Sequence, residues 1–162
     1  MCVFLPQRKS DPSSSGVTRG SGGLSSFSLK PGSAVTRLAD ALGYDSLTKT
    51  SHYSTAPYQA FQQFPILARL SAEAPNMRLN AGIILLSMHK PLDIAEQLAT
   101  IDVMCGGKLI VGAALGYREV ELKAFGTNRK ERVKRFEENL IALKRLWTED
   151  AVDMAGSHFE LD

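Results

Sequence analysis

Few side chains in this sequence combine a reactive type with a telling position. The three histidines come first, because imidazole titrates near neutrality and suits proton transfer. His52 falls just beyond the end of a short predicted strand, in a loop that runs on to Pro57. Taken alone, a single histidine in a loop is ordinary surface more often than a catalytic group. His89 opens a predicted helix and is expected to be exposed, and His158 falls in a predicted hairpin. So scattered, with no cysteine or carboxylate at ligand spacing, they do not form a metal site. Arg118 has two readings of equal weight: a bidentate donor to a phosphate or carboxylate, or a salt bridge to Glu119 or Glu121. The glycines between 112 and 116 lack the G-x-G-x-x-G spacing and close a strand after a crossover, so they are not a dinucleotide fingerprint.

The elements that must position these residues centre on the stretch 77–116. Leu79-Asn80-Ala81-Gly82-Ile83-Ile84-Leu85-Leu86 is a continuous apolar run, which predicts a strand buried on both faces. Pro91 suits the first turn of the helix that follows, with Asp93 and Glu96 near its positive end. Ile94, Leu98, Ile101 and Cys105 share one face, and Gly106-Gly107 stops the helix. Leu109-Ile110-Val111 reads as a second buried strand, and strand, crossover helix, strand makes a parallel βαβ unit.

Before this unit, Ser33 is the expected N-cap of a helix whose inward face is Val35, Leu38, Ala39 and Leu42, ended by Gly43. Residues 44–50 read as a short strand. A helix from about Pro65 turns Ile66, Leu67, Leu70 and Ala74 inward and is ended by Pro75. After Gly116, a short helix leads to Phe125-Gly126. A long helix then covers about 130–148, with Val133, Phe136, Leu140, Leu143 and Trp147 as its inward stripe. Residues 151–161 suggest a small hairpin. Residues 7–27 are rich in serine and glycine and bury little, so they are expected to be mobile. The division is therefore 1–32, of uncertain structure, and 33–162 as the folded part. Alternating helix and strand means α/β, and periodicity alone does not separate a doubly wound sheet from a (β/α) barrel.

Composition excludes more than it specifies. A hydrophobic share of 44% and a charged share of 22% fit a soluble globular chain, and a net charge of +2 gives no case for nucleic acid. The basic run 129–135 is interleaved with Glu131 and followed by Glu137 and Glu138, and reads as a solvated helix face. Two cysteines make no disulfide framework, and no apolar stretch approaches the roughly 20 residues of a membrane span. A cytoplasmic setting is the expectation.

The ordered set of residues carries further information. Leu42-Gly43-Tyr44-Asp45-Ser46-Leu47, Ser51-His52 and Met77-Arg78-Leu79-Asn80-Ala81-Gly82-Ile83 together resemble the luciferase-like flavin-dependent monooxygenases. The match continues through Lys90-Pro91, 95–102, Gly106-Gly107-Lys108-Leu109, 112–118, Ala124-Phe125-Gly126, Leu146-Trp147 and Gly156-Ser157-His158-Phe159. The resemblance implies a TIM barrel with a flavin at the C-terminal ends of its strands. It implies reduced FMN or the deazaflavin F420 as cofactor, with a small organic substrate and oxygen. A flavin reductase supplying reduced FMN and a homodimeric assembly are implied as well.

Carried over by position, His52 matches the family's acid/base histidine. The residue before it is usually acidic in the family and here is Ser51. Gly82-Ile83 matches a place where many relatives carry a non-prolyl cis peptide behind the flavin ring. Leu115, Gly116, Tyr117 and Arg118 match the strand end that faces the flavin side chain or substrate. A complete (β/α) barrel needs about 200 residues or more. A chain of 162 residues is thus expected to hold about the first four βα units and to be inactive by itself. A non-enzymatic half barrel serving interaction or dimerisation is the alternative. A small α/β protein that binds a phosphorylated ligand through Arg118 is the third reading.

Overall fold

A computed structural model of the protein describes residues 5–6, 30–55 and 58–162. The expectation of mobility for 7–27 lies outside the described residues. In chain order the elements are β1 (Leu5–Pro6), α1 (Lys30–Ala41), β2 (Ser46–Lys49), β3 (Tyr58–Gln59), α2 (Gln63–Ser71) and β4 (Arg78–Leu85). A 3-10 turn (Leu86–Met88) leads to α3 (Pro91–Met104), β5 (Leu109–Ala114), α4 (Glu119–Ala124), α5 (Arg132–Thr148), β6 (Met154–Ala155) and β7 (Glu160–Leu161).

Among the described residues the central sheet is three-stranded and parallel, in the order β2-β4-β5. The βαβ unit is present, with Leu79 beside Leu109 and Gly82 beside Gly112. Gly106 and Gly107, both at positive φ, end α3, and Asp102 Oδ1 accepts the Leu109 N–H at 3.0 Å, fixing where β5 starts. Two short antiparallel pairs lie outside this sheet, β1 with β3 and β6 with β7. The second is the hairpin expected near the end of the chain.

The core lies between the sheet and the helices on one of its faces. Leu67, Leu79, Ala81, Ile84, Ile94, Leu98, Ile101 and Leu143 are buried in one cluster. Each such leucine or isoleucine contributes about 1.5–3 kcal/mol by leaving water.

The sequence expectations need correction where a strand lies at an edge or a face is open. Along β4 only alternate residues are covered at first: Leu79 and Ala81 are buried, Asn80 and Gly82 half-buried, and Ile83 is exposed. The opposite sheet face is only partly covered, so the run is not buried on both sides. Ile110, in register with Asn80, is exposed on that same face, and Val111 is exposed because, among the described residues, β5 has a neighbour on one side only. α1 begins at Lys30, so Ser33 lies inside it, and Ser33 and Thr36 are buried while Val35, Leu38 and Leu42 are exposed. Polar contacts hold this helix: Asp40 Oδ1 accepts the N–H groups of Asn76 and Met77, and Arg37 pairs with Glu73. α2 ends at Ser71, ahead of Pro75.

The inward stripe of α5 is also rotated from the one expected. Leu143 is buried and Phe136 packs against the core as expected, but Arg135, Asn139 and Ala142 are buried as well, whereas Val133, Leu140 and Trp147 are exposed. The reason is hydrogen bonding above the sheet. Asn139 Nδ2 donates to Leu86 O at 2.8 Å and His89 O at 2.9 Å, two carbonyls in the turn after β4. The basic run at the start of α5 is likewise not simply solvated. Arg132 Nη1 donates to Gly116 O at 2.5 Å, Arg135 Nη1 to Gly126 O at 3.0 Å, and Arg129 Nη2 to Tyr117 O at 3.2 Å. These arginines brace the segment that follows β5.

Candidate functional site

Because β2, β4 and β5 run parallel, the residues at or just past their C-terminal ends share one rim of the sheet. His52 follows β2, Gly82 and Ile83 occupy the later half of β4, and Leu115, Gly116, Tyr117 and Arg118 follow β5. The Gly82–Ile83 peptide bond is cis. Around it the strand ends are tied together. Ser51 N–H donates to Ile83 O at 3.3 Å, and the buried Gln63 amide donates to Lys49 O at 2.5 Å and Ile83 O at 3.4 Å.

On the sheet face beneath this rim two glycines make room for neighbouring side chains. Gly82 and Gly112 sit side by side in register. An added Cβ at Gly82 would come within 2.8 Å of Asn80 Oδ1, and one at Gly112 within 3.0 Å of Ile83 Cγ2. Asn80 Nδ2 donates to Thr48 Oγ1 at 3.2 Å, so the carboxamide is held with its oxygen near Gly82. Ile83, Ile110 and Tyr117 are exposed here. Beyond β5 the backbone is fixed on both flanks: Ser87 Oγ donates to Leu115 O at 2.7 Å, and Arg132 holds Gly116 O.

His52 does not stand alone at the rim. Its Nδ1 lies 3.3 Å from Glu121 Oε1, and the Glu121 side chain is only 1% exposed. The same oxygen accepts Tyr53 N–H at 2.9 Å and Arg118 Nη1 at 3.0 Å. Arg118 also donates to Tyr53 O at 2.7 Å and Ser54 O at 3.1 Å. Of the two readings for Arg118, the structure forms the ion pair, and its partner is Glu121 rather than Glu119. Ser54, at φ +52°, belongs to the stretch held in this way.

Glu121 is the residue that sequence reasoning missed as part of the site. The available signal was the i, i+3 spacing from Arg118, which places the two side chains on one side of α4. The expectation for His89 also needs correction. It is half-buried against Tyr53, Phe64 and Phe125, with ring centroids 6.3, 6.4 and 5.8 Å away, and its Nε2 is 3.4 Å from Tyr53 Oη. Burial holds the His89 pKa below the ordinary imidazole value, against an opposing pull from Asp93. Burial likewise raises the Tyr53 phenol, with a smaller contribution from Glu121 in the same direction and a Ser51 hydrogen bond opposing.

His158 belongs to the hairpin, 3.5 Å from Glu138, and its carbonyl accepts from Lys90. Among the described residues no group of three or more histidine, cysteine or acidic side chains is placed to hold a metal. Nor is any described helix long and apolar enough to cross a membrane.

Comparison with known proteins gives this geometry a context. The family model described as luciferase-like monooxygenase matches residues 1–162. An FMNH2-dependent dimethylsulfone monooxygenase from Pseudomonas putida is 30% identical over 134 residues, covering 79% of this chain and 36% of its own length. An F420-dependent glucose-6-phosphate dehydrogenase from Amycolatopsis mediterranei is 28% identical over 130 residues, covering 76% of this chain and 39% of its own. Among solved structures, the monooxygenase RslO1 from Streptomyces bottropensis superposes with a TM-score of 0.74 at 28% identity, over 82% of this chain and 41% of that one. The chain spans about two fifths of the length of these relatives.

Proposed function

The chain belongs to the luciferase-like monooxygenase family, and from that premise we propose that it forms part of a flavin-dependent oxidoreductase that oxidises a small organic substrate. Reduced FMN with oxygen, or F420, is the proposed cofactor, as in the relatives whose names state it. The observation that carries the reading is the position of His52. It stands at the C-terminal rim of the parallel sheet, fixed on the buried Glu121, beside the strand ends that carry Gly82 and Gly112.

The residues present fit a flat heterocycle. The paired glycines leave room for the Asn80 carboxamide and the Ile83 side chain, so a ring on this face would meet an apolar contact from Ile83 and hydrogen-bonding groups from Asn80. When bound, the cofactor would supply the electrons, paired with oxygen or as hydride. The chain's own part is to hold and to move a proton. Nδ1 of His52 is engaged by Glu121, so the other ring nitrogen, Nε2, is the atom that exchanges a proton with substrate. Gly82, Ile83, Leu115, Gly116, Tyr117 and Arg118 are the proposed lining. Of these, Arg118 acts through the loops it holds, and Tyr117, 64% exposed, is free to meet substrate.

Titration of the protein with FMN and with F420, followed by cofactor fluorescence, tests the reading. Saturable binding of one of them supports it, and absence of binding by both removes it. In a protein of the relatives' length carrying this segment, His52→Ala should lower turnover by about 100-fold or more, the scale of a lost general acid/base. Unchanged turnover would strip His52 of its role.

A flavin reductase that supplies reduced FMN and a homodimeric assembly complete the proposal. A second reading, a half barrel used for association, draws on the apolar residues left open at both sheet edges: Val35, Leu38 and Leu42 beside β2, Ile110 and Val111 on β5. It requires self-association without cofactor binding, which sedimentation and the same titration decide together.

A further inference from the structure

We infer that Glu121 is the positioning residue for His52, fixing the imidazole as its Nδ1–H tautomer so that Nε2 is left as the proton acceptor. The inference rests on the proposed flavin-dependent reading and deepens it. A carboxylate can only accept, and the ring nitrogen 3.3 Å from Glu121 Oε1 is Nδ1, so Nδ1 carries the hydrogen. In neutral imidazole the other nitrogen then has the lone pair. Free histidine favours the opposite tautomer, so the protein has to impose this one.

The carboxylate is built to do so. Burying a charge is costly unless donors surround it. Glu121 meets that cost through one oxygen, Oε1, which gathers Tyr53 N–H, Arg118 Nη1 and His52 Nδ1. The second oxygen, Oε2, is buried with no hydrogen-bond partner in the structure. Donors crowded onto one oxygen set its position relative to the backbone of the loop that carries His52. Arg118 reinforces the arrangement by donating to Tyr53 O and Ser54 O of that loop. The segments after β2 and β5 are thereby clamped across the end of the intervening β4. A salt bridge that served stability alone would have no need to include the backbone N–H next to His52 and the imidazole itself.

The test is the tautomeric state of His52, read by long-range proton–nitrogen correlation on protein labelled in the histidine rings, at a pH where the spectrum shows the ring neutral. Wild type should show Nδ1 protonated and Nε2 bare. Glu121→Gln should keep that pattern, because the Tyr53 and Arg118 donors hold the amide oxygen where Oε1 was. Glu121→Ala should lose it and shift the population towards Nε2–H. Nε2–H in the wild type, or an unchanged tautomer in Glu121→Ala, would overturn the inference. Should Glu121→Ala fail to fold, the wild-type and Glu121→Gln spectra still decide. Absence of cofactor binding with Nδ1–H intact would defeat the functional reading alone. Nε2–H in a protein that binds cofactor would defeat the clamp alone.

Discussion

The coupling between Arg118 and Glu121 is open to a quantitative test by a double-mutant cycle. Arg118→Met keeps most of the side-chain volume and removes three hydrogen bonds, at 2.7, 3.0 and 3.1 Å. Breaking a fully buried ion pair costs about 3–5 kcal/mol, most of it from the charge left behind. Glu121 is buried but Arg118 is 30% exposed, so water already screens part of the pair. The expected loss is therefore lower, about 2–3 kcal/mol. Glu121→Gln keeps an acceptor for Tyr53 N–H and gives up the charge, at about 1–2 kcal/mol. The double variant no longer leaves a buried carboxylate stranded. It should fall short of the sum of the single losses by about 1 kcal/mol or more. Urea unfolding reads all four proteins, with the single tryptophan, Trp147, as reporter through its hydrogen bond to Ala95 O. Single effects that sum to the double effect within about 0.5 kcal/mol would refute the coupling.

Three further outcomes are expected. Asn139→Ala removes both amide donors from Leu86 O and His89 O and should cost about 2–3 kcal/mol, with Asn139→Asp worse because it sets a carboxylate against two carbonyls, both read by urea midpoint. His89 has a depressed folded pKa, so its contribution is fully present above the unfolded imidazole value of about 6.5 and is lost as pH falls from there through the folded value. His89→Phe should flatten that acid-side slope in urea midpoints taken from about pH 7.5 to about pH 5, and an unchanged slope would count against the burial argument; His158, depressed in the same direction, should leave a residual slope. Gly116→Ala places a Cβ at φ +73°, 2.6 Å from Met88 Cε, and should cost about 1–2 kcal/mol in thermal or urea unfolding; a neutral effect would mean that the segment after β5 adjusts freely.

Helices and strands were legible where local chemistry decides them. Pro91 and Gly106-Gly107 bracket α3 as read, and the face of Ile94, Leu98 and Ile101 is the buried one. Burial at the edges was not legible. Leu109-Ile110-Val111 has the composition of a central strand, yet its exposure depends on which strand lies on its far side, a property of the whole sheet. The same holds for Val35, Leu38 and Leu42 on α1. In α5 the apolar stripe was misread because two carbonyls in the turn after β4 call for an amide, which brings Asn139 inward in place of Leu140. The site followed the same division. The ordered resemblance located His52 and Gly82-Ile83 at the rim. Glu121 was visible only as one salt-bridge option for Arg118, because its approach to His52 bridges a sequence separation of 69 residues. His89 was misplaced for a related reason: the aromatic side chains that cover it come from three separate segments.

A flavin ring is proposed to lie on the partly exposed sheet face at the C-terminal ends of β4 and β5, beside His52. Amide chemical-shift mapping of the protein during titration with FMN and with F420 tests it most directly, since weak contact is enough to register. The account predicts that one cofactor shifts Gly82, Ile83, Gly112 and Tyr117 together with the His52 ring, while Leu98 and Ile101 on α3 stay still. Shifts confined to the helix-covered side, or none with either cofactor, would contradict it.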